Sequence, residues 1–198
     1  MLRVALTGGI ATGKSFCLSR FAARGAAIVD ADQLAREAVA PGSGGLAAVV
    51  DRFGPGILSP DGSLDRAALA RIVFGDSSAR ADLEAIVHPR VYRAIREWAG
   101  SQPPTTRLAI ADIPLLFETG HVHEFDKVIV CACSPGEQLR RLMARDALSE
   151  ADARARLAAQ WPIDEKVARA DYVIRTDGPF AETEAQIKAV FDSLALDS

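Results

Sequence analysis

The sequence predicts an α/β fold, a five-stranded parallel sheet with helices wound on both faces, and three observations carry that expectation. Five short apolar runs, at residues 4–6, 26–29, 108–113, 127–132 and 172–174, alternate with segments of helical periodicity. The first run passes straight into Gly8-Gly9-Ile10-Ala11-Thr12-Gly13-Lys14-Ser15, which fits G-x-x-x-x-G-K-[ST] and precedes a helix, the strand–loop–helix setting of a phosphate-binding loop. At 198 residues the chain is long enough to bury one hydrophobic centre without staples.

The first strand and its loop set the chemistry. A backbone that wraps a polyphosphate closely enough for its N–H groups to point inward has no room for bulky side chains, and Gly8 and Gly13 leave that room. Lys14 then offers a point charge to the β and γ phosphates and Ser15 a hydroxyl to Mg²⁺. The helix that starts here adds its positive dipole end. Together these residues describe a nucleotide triphosphate site, but P-loops serve kinases, GTPases and motor ATPases alike.

Composition narrows the classes. A net charge of −3 argues against a strongly basic nucleic-acid binder, so no nucleic-acid partner is expected. Lysine occurs only at 14, 127, 166 and 188, and arginine supplies the other cations. No basic-then-apolar leader and no run of membrane-spanning length is present, so a soluble cytoplasmic protein with no membrane partner is expected. Cys17, Cys131 and Cys133 lack metal or redox spacing and read as reduced, packed thiols.

The second strand ends at Asp30-Ala31-Asp32. Ligands of open α/β sheets bind at the carboxyl ends of strands, which makes an acidic pair there a candidate for chemistry. One of the two can instead cap the helix expected over 33–39, leaving the other to work. From 41 to 62, turn signals such as Pro41-Gly42, Gly54-Pro55-Gly56 and Ser59-Pro60-Asp61-Gly62 dominate. Helices are expected at 46–53, 65–74 and 82–98, the last interrupted at His88-Pro89 because proline removes an N–H and disfavours a helical residue before it. This strandless block reads as a helical insertion.

The third strand closes on Asp112, either a Walker B carboxylate that orients Mg²⁺ or a loop cap. His121-Val122-His123-Glu124 has no third ligand at a suitable spacing and reads as an exposed turn. After the fourth strand, helices at 135–147 and 150–160 carry Arg140, Arg141, Arg145, Arg154 and Arg156. Such clusters are often solvated faces, yet after this strand they also suit a lid whose guanidinium groups neutralise a transferring phosphate. The final helix, with Ile187, Val190, Phe191 and Leu194 in one stripe, reads as core packing alone.

A GTP switch protein would carry an N/T-K-x-D base-reading motif, which Phe125-Asp126-Lys127-Val128 does not supply. A small-molecule kinase needs a carboxylate near the γ-phosphate and an insertion to hold the acceptor, and Asp32 and the helical block offer both.

Taken together, T-G-G-I-x-x-G-K-S at 7–15, the D-A-D at 30–32 followed by Ala35-Arg36, D-G-x-L-x-R at 61–66, His88-Pro89, P-L-L-F-E at 114–118 and the lid ending Arg145-Asp146 resemble the dephospho-CoA kinase family over essentially the whole chain. The resemblance implies a P-loop kinase-like three-layer sandwich with a core of 1–40, 104–136 and 170–198, an acceptor-binding insertion at 41–103 and a lid at 137–169. It implies ATP-dependent phosphorylation of the ribose 3'-hydroxyl of dephospho-CoA, with ATP and Mg²⁺ as cofactors. Asp32 would be the base, with Lys14 and Arg145 also catalytic. Gly8, Gly9, Ile10, Ala11, Thr12, Gly13, Lys14, Ser15, Phe16 and Arg140 would hold ATP. Thr7, Asp32, Arg36, His88, Pro114 and Leu115 would meet the acceptor, and Ser15 and Asp112 the metal. The chain departs from the family pattern with Ala11 for glycine, Phe16 for threonine and Arg175-Thr176-Asp177-Gly178 for a stretch containing asparagine. The rival readings are another P-loop kinase of a nucleoside or small molecule, and a nucleotide-binding regulatory module without turnover.

Overall fold

The computed structural model describes residues 1–196. Its five strands are β1 (Leu2–Gly8), β2 (Ala27–Asp30), β3 (Leu108–Asp112), β4 (Lys127–Ala132) and β5 (Tyr172–Arg175), in the sheet order β2-β3-β1-β4-β5. All are parallel, as expected, and β1 lies between β3 and β4 with Leu6 opposite both Asp112 and Ile129. The chain separates into two compact units, residues 1–29 with 101–198, and residues 30–100.

The first unit holds the sheet with α1 (Lys14–Ala22), α6 (Pro135–Asp146), α7 (Glu150–Ala158), α8 (Ile163–Val167) and α9 (Phe180–Leu196). Strands covered on both faces read as continuous apolar runs, and residues 108–112 and 128–132 are buried throughout. One face packs Val4, Leu6, Ile110, Ile129 and Ile174 against Cys17 and Phe21 of α1 and Ile187 and Leu194 of α9. The other face carries smaller buried residues, Ala5, Thr7, Ala109 and Ala111. All three cysteines are free and buried. The short helix α8 is not expected from the sequence. Pro162 caps its start and keeps Trp161 out of helical geometry, which separates it from α7.

The second unit is helical: α2 (Ala31–Ala38), α3 (Gly44–Phe53), a 3₁₀ turn at Pro55–Ile57, α4 (Arg66–Gly75) and α5 (Ser77–Gly100). Ser43 caps α3 by accepting the Leu46 N–H, and Asp65 caps α4 by accepting that of Ala68. Val39, Val49, Ile57 and Leu69 form its core, against which Leu83, Ile86 and Val87 of α5 pack.

Helix α5 corrects the expected break at His88-Pro89, since it runs unbroken through Pro89. The proline ring is exposed, and the next residue, Arg90, folds its guanidinium back to donate to the Ile86 carbonyl at 2.6 Å. Packing of Leu83, Ile86, Val87, Val91 and Ile95 on both sides of the proline outweighs a local cost of about 3 kcal/mol.

Gly45 gives a sharp test of this packing. A Cβ there would lie 1.9 Å from the Ala38 carbonyl oxygen, a backbone atom that cannot rotate away. Gly45→Ala is expected to destabilise the protein by about 3 kcal/mol and to lower Tm by roughly 6–12 °C. An unchanged melting curve would refute the close approach of α2 and α3.

Candidate active site

Strand β1 delivers Gly8 to the carboxyl edge of the sheet, where the chain turns through Gly13 into α1. Three different demands fix its small residues. A Cβ on Gly8 would meet the Cys131 carbonyl oxygen at 2.6 Å, and Gly13, capping α1, sits at φ 79° in the left-handed region. Ala11 is also left-handed, at φ 60°, a strain of roughly 1–2 kcal/mol that the departure from glycine imposes here. Thr12, buried at the turn, donates its hydroxyl to the Gly9 carbonyl at 2.8 Å, and Thr176 donates to the Thr12 carbonyl at 2.8 Å.

Lys14 opens α1 and forms an ion pair with Asp112, the last residue of β3. The loop after β1 and the end of the neighbouring β3 therefore bring a cation and a carboxylate together. Ser15 follows on the exposed side of the same helix turn.

A cavity of about 520 Å³ opens beside the loop, lined by Ala11, Gly13, Phe16, Arg140, Arg141 and Phe180 among others. The Phe16 and Phe180 rings lie 5.0 Å apart between centroids, and the Arg20 guanidinium sits 4.9 Å from the Phe16 ring. Phe180 stays 74 % exposed at the mouth. The expectation that α9 is core packing alone is corrected here. Ile187, Val190 and Leu194 are buried in the core, but Phe180 and Thr183 of its first two turns line the cavity.

Glu137 organises the cations of the opposite wall. It accepts from Arg140 at 2.7 and 2.8 Å and from Arg141 at 2.7 Å. Arg140, then Arg141, hold its carboxyl down at about 2, so Glu137 is ionised above that pH. Arg141 also donates to the Thr176 carbonyl at 2.6 Å, tying α6 to the turn after β5.

Arg145 lies in the last turn of α6, where it donates to both Asp146 oxygens, at 2.7 and 3.1 Å, and Arg156 of α7 shares the second at 2.8 Å. Arg145, chiefly, holds the Asp146 carboxyl below its usual range. In this state the cation expected over the phosphates is engaged by its neighbour. Thr7 is buried on β1 and donates to the Pro114 carbonyl at 3.3 Å. Leu115, next in the chain, is exposed.

In the helical unit, Asp30 is the capping member of the acidic pair, accepting the N–H groups of Asp32 and Gln33 at 2.7 and 3.2 Å. The helix consequently starts at Ala31, two residues before the expected boundary. Asp32 is left exposed in the first turn, with no hydrogen bond or ion pair to its carboxylate among the described residues. Arg36 lies one turn on. His88 is half-buried in α5, and burial pushes its pKa down against the opposing pull of Glu84, so it is neutral near pH 7.

Several residues that no local motif marks also touch the loop. Gln160 accepts the Ile10 N–H at 2.8 Å, and Gln138 donates to the Ile10 carbonyl at 2.9 Å. Lys166 is fully buried and reaches the Gly8 carbonyl. The one sequence signal for it was its rarity, as one of four lysines in an arginine-rich chain. Among the described residues His121, His123 and Glu124 bring three donor atoms within 4.8 Å of one another, which corrects the expectation of no third ligand. His121 caps the short 3₁₀ turn at Val122–Glu124 that holds the other two, just before Asp126, whose N–H bonds the Arg3 carbonyl at the other end of β1 from the loop.

Comparison with known proteins agrees with this geometry. A family profile described as dephospho-CoA kinase (CoaE) matches residues 2–182. A dephospho-CoA kinase of Cutibacterium acnes is 46% identical over 197 residues, covering 98% of this chain and 85% of its own. One of Syntrophotalea carbinolica is 45% identical over 195 residues, covering 98% and 92%. The solved dephospho-CoA kinase of Campylobacter jejuni aligns at TM-score 0.74 and 28% identity over 98% of both chains. A shikimate kinase of Acinetobacter baumannii, at TM-score 0.54 and 14% identity over 100% of this chain and 95% of its own, shares the fold alone. With its P-loop, paired lysine and aspartate and family-wide similarity, the chain belongs to the dephospho-CoA kinase family.

Proposed function

We propose that the protein, acting in the cytoplasm, transfers the γ-phosphate of ATP to the ribose 3'-hydroxyl of dephospho-CoA, giving CoA and ADP. The observation that carries this is the Gly8–Ser15 loop with the Lys14–Asp112 pair beside a cavity of about 520 Å³, with room for a nucleobase. Gly8 to Phe16 hold the triphosphate, and Arg140 and Phe180 flank the base. Residues 41–103 hold the acceptor, with Arg36, His88, Pro114 and Leu115 contributing contacts. Residues 137–169 form the lid on the core of 1–40, 104–136 and 170–198.

Asp32 orients the acceptor hydroxyl and takes its proton late in transfer, a role open to it because Asp30 already satisfies the helix start. Lys14 shifts from Asp112 toward the β and γ phosphates, which frees that carboxylate for the metal side of the site. The Ser15 hydroxyl and the Asp112 carboxylate are hard oxygen donors, the kind Mg²⁺ prefers. When bound, the ion offsets charge on the phosphates. Arg145 exchanges Asp146 for phosphate as the lid closes and excludes water.

The test is an assay coupled to ADP release with dephospho-CoA, nucleosides and shikimate as alternative acceptors. Turnover with dephospho-CoA alone is expected. Turnover with another acceptor in its place, or ATP binding without ADP from any, would overturn the reading. Phe180→Ala removes the exposed ring at the cavity mouth and is expected to raise KM for ATP roughly fivefold, the effect of losing about 1 kcal/mol of base stacking. An unchanged KM would place the base elsewhere.

A further inference from the structure

Lys166 lies on α8, at the returning end of the lid, with no side-chain exposure. A buried ammonium is tolerated only when its three N–H donors are matched, and here they are. Lys166 Nζ lies 2.7 Å from Glu118 Oε1, 3.3 Å from the Pro114 carbonyl oxygen and 3.5 Å from the Gly8 carbonyl oxygen. These acceptors belong to the exit of β3 and to the root of the P-loop. Glu118 Oε1 also accepts the Trp161 N–H at 3.0 Å, so the same carboxylate grips the lid a second time. Gln160, one residue before Trp161, takes the Ile10 N–H at the loop's apex. Among the described residues, five bonds therefore run from the segment 160–166 to the P-loop and the P-L-L-F-E stretch.

We propose that Lys166 is a positioning residue for phosphoryl transfer, fixing the root of the P-loop to the β3 exit and to the lid's returning end. The proposal rests on the kinase reading above for its reaction, but not for its geometry. The two carbonyls that complete its donors come from separate segments, the β3 exit and the root of the P-loop. With those, a displacement of α8 reaches Gly8 directly, six residues before Lys14.

Two variants separate positioning from simple charge balance. Lys166→Met keeps the side-chain volume but leaves Glu118 uncompensated, and the Glu118 Oε2 atom is already buried without a hydrogen-bond partner among the described residues. The double variant Glu118→Gln with Lys166→Met removes that stranded charge. The readouts are Kd for a non-hydrolysable ATP analogue, and kcat and KM for ATP and dephospho-CoA.

Positioning predicts that the folded double variant still loses kcat by roughly 100-fold, the order that a 1 Å misplacement costs, with a raised Kd for the analogue. Recovery of wild-type kcat and Kd in the double variant would show charge balance alone and overturn the proposal. Should neither variant fold, hydrogen exchange on the unaltered protein decides. Binding of the analogue is expected to slow exchange at 163–170 together with the P-loop, and no slowing at 163–170 would overturn it. If the wild-type protein makes no ADP with dephospho-CoA, the kinase reading fails, while the Kd and exchange measurements still judge the latch.

Discussion

Asp32→Asn is expected to lower kcat by a factor of roughly 10²–10⁴, the range assigned to a positioned general base, while leaving KM for ATP near its wild-type value. Asparagine keeps the size and hydrogen-bonding reach of the side chain but cannot accept a proton. The substitution should not disturb the fold, because the cap of α2 is Asp30 and the Asp32 carboxylate bonds nothing else among the described residues. That separation makes the measurement clean. Turnover within severalfold of wild type, at saturating ATP and dephospho-CoA, would remove Asp32 from the chemistry. Asp30→Asn, by contrast, should retain most activity, since asparagine caps a helix about as well as aspartate.

Lys14→Ala is expected to cost roughly 10²–10³ in kcat/KM for ATP, the usual result of deleting one charge-stabilising donor from a phosphoryl-transfer site. The variant also takes the Lys14 ammonium away from Asp112, buried at the end of β3. Part of any loss then reflects this carboxylate, deprived of the Lys14 charge, repelling the triphosphate. The double variant Lys14→Ala with Asp112→Asn resolves this. If Lys14 acts on the phosphates, activity stays low in the double variant although melting temperature recovers. If activity recovers as well, the lysine served Asp112 and not ATP.

Much of the sheet and the loop were legible in the sequence because their determinants are local. Residues 127–132 read as a strand and fold as one, since an apolar run covered on both faces has a single way to be buried. The P-loop is spelled by contiguous residues, with Gly8 and Gly13 where space and a positive φ call for glycine. Helix α5 was misread at Pro89 because tertiary packing along Leu83 to Ile95 overrode a local penalty. Lys166, Gln138 and Gln160 escaped notice for the opposite reason. Each acts on a backbone group more than a hundred positions away in the chain, and no pattern within its own helix announces that partner. Phe180 was hidden by the stripe it begins, since one helix serves the core with one side and the cavity with its first turn.

The three buried thiols supply a built-in clock for opening of the interior. Cys17 sits two residues past Ser15, and Cys131 lies opposite Gly8 in the β1–β4 ladder. A water-soluble alkylating reagent can therefore reach either sulfur only from molecules whose first helix has lifted from the sheet. The speed of modification at low reagent reports how often that happens, and residue-resolved mass analysis would compare it with Cys133, beyond the end of β4. Adding nucleotide should slow modification of Cys17 and Cys131 in proportion to how tightly the occupied loop clamps its helix, so ligand strength becomes readable with no engineered label.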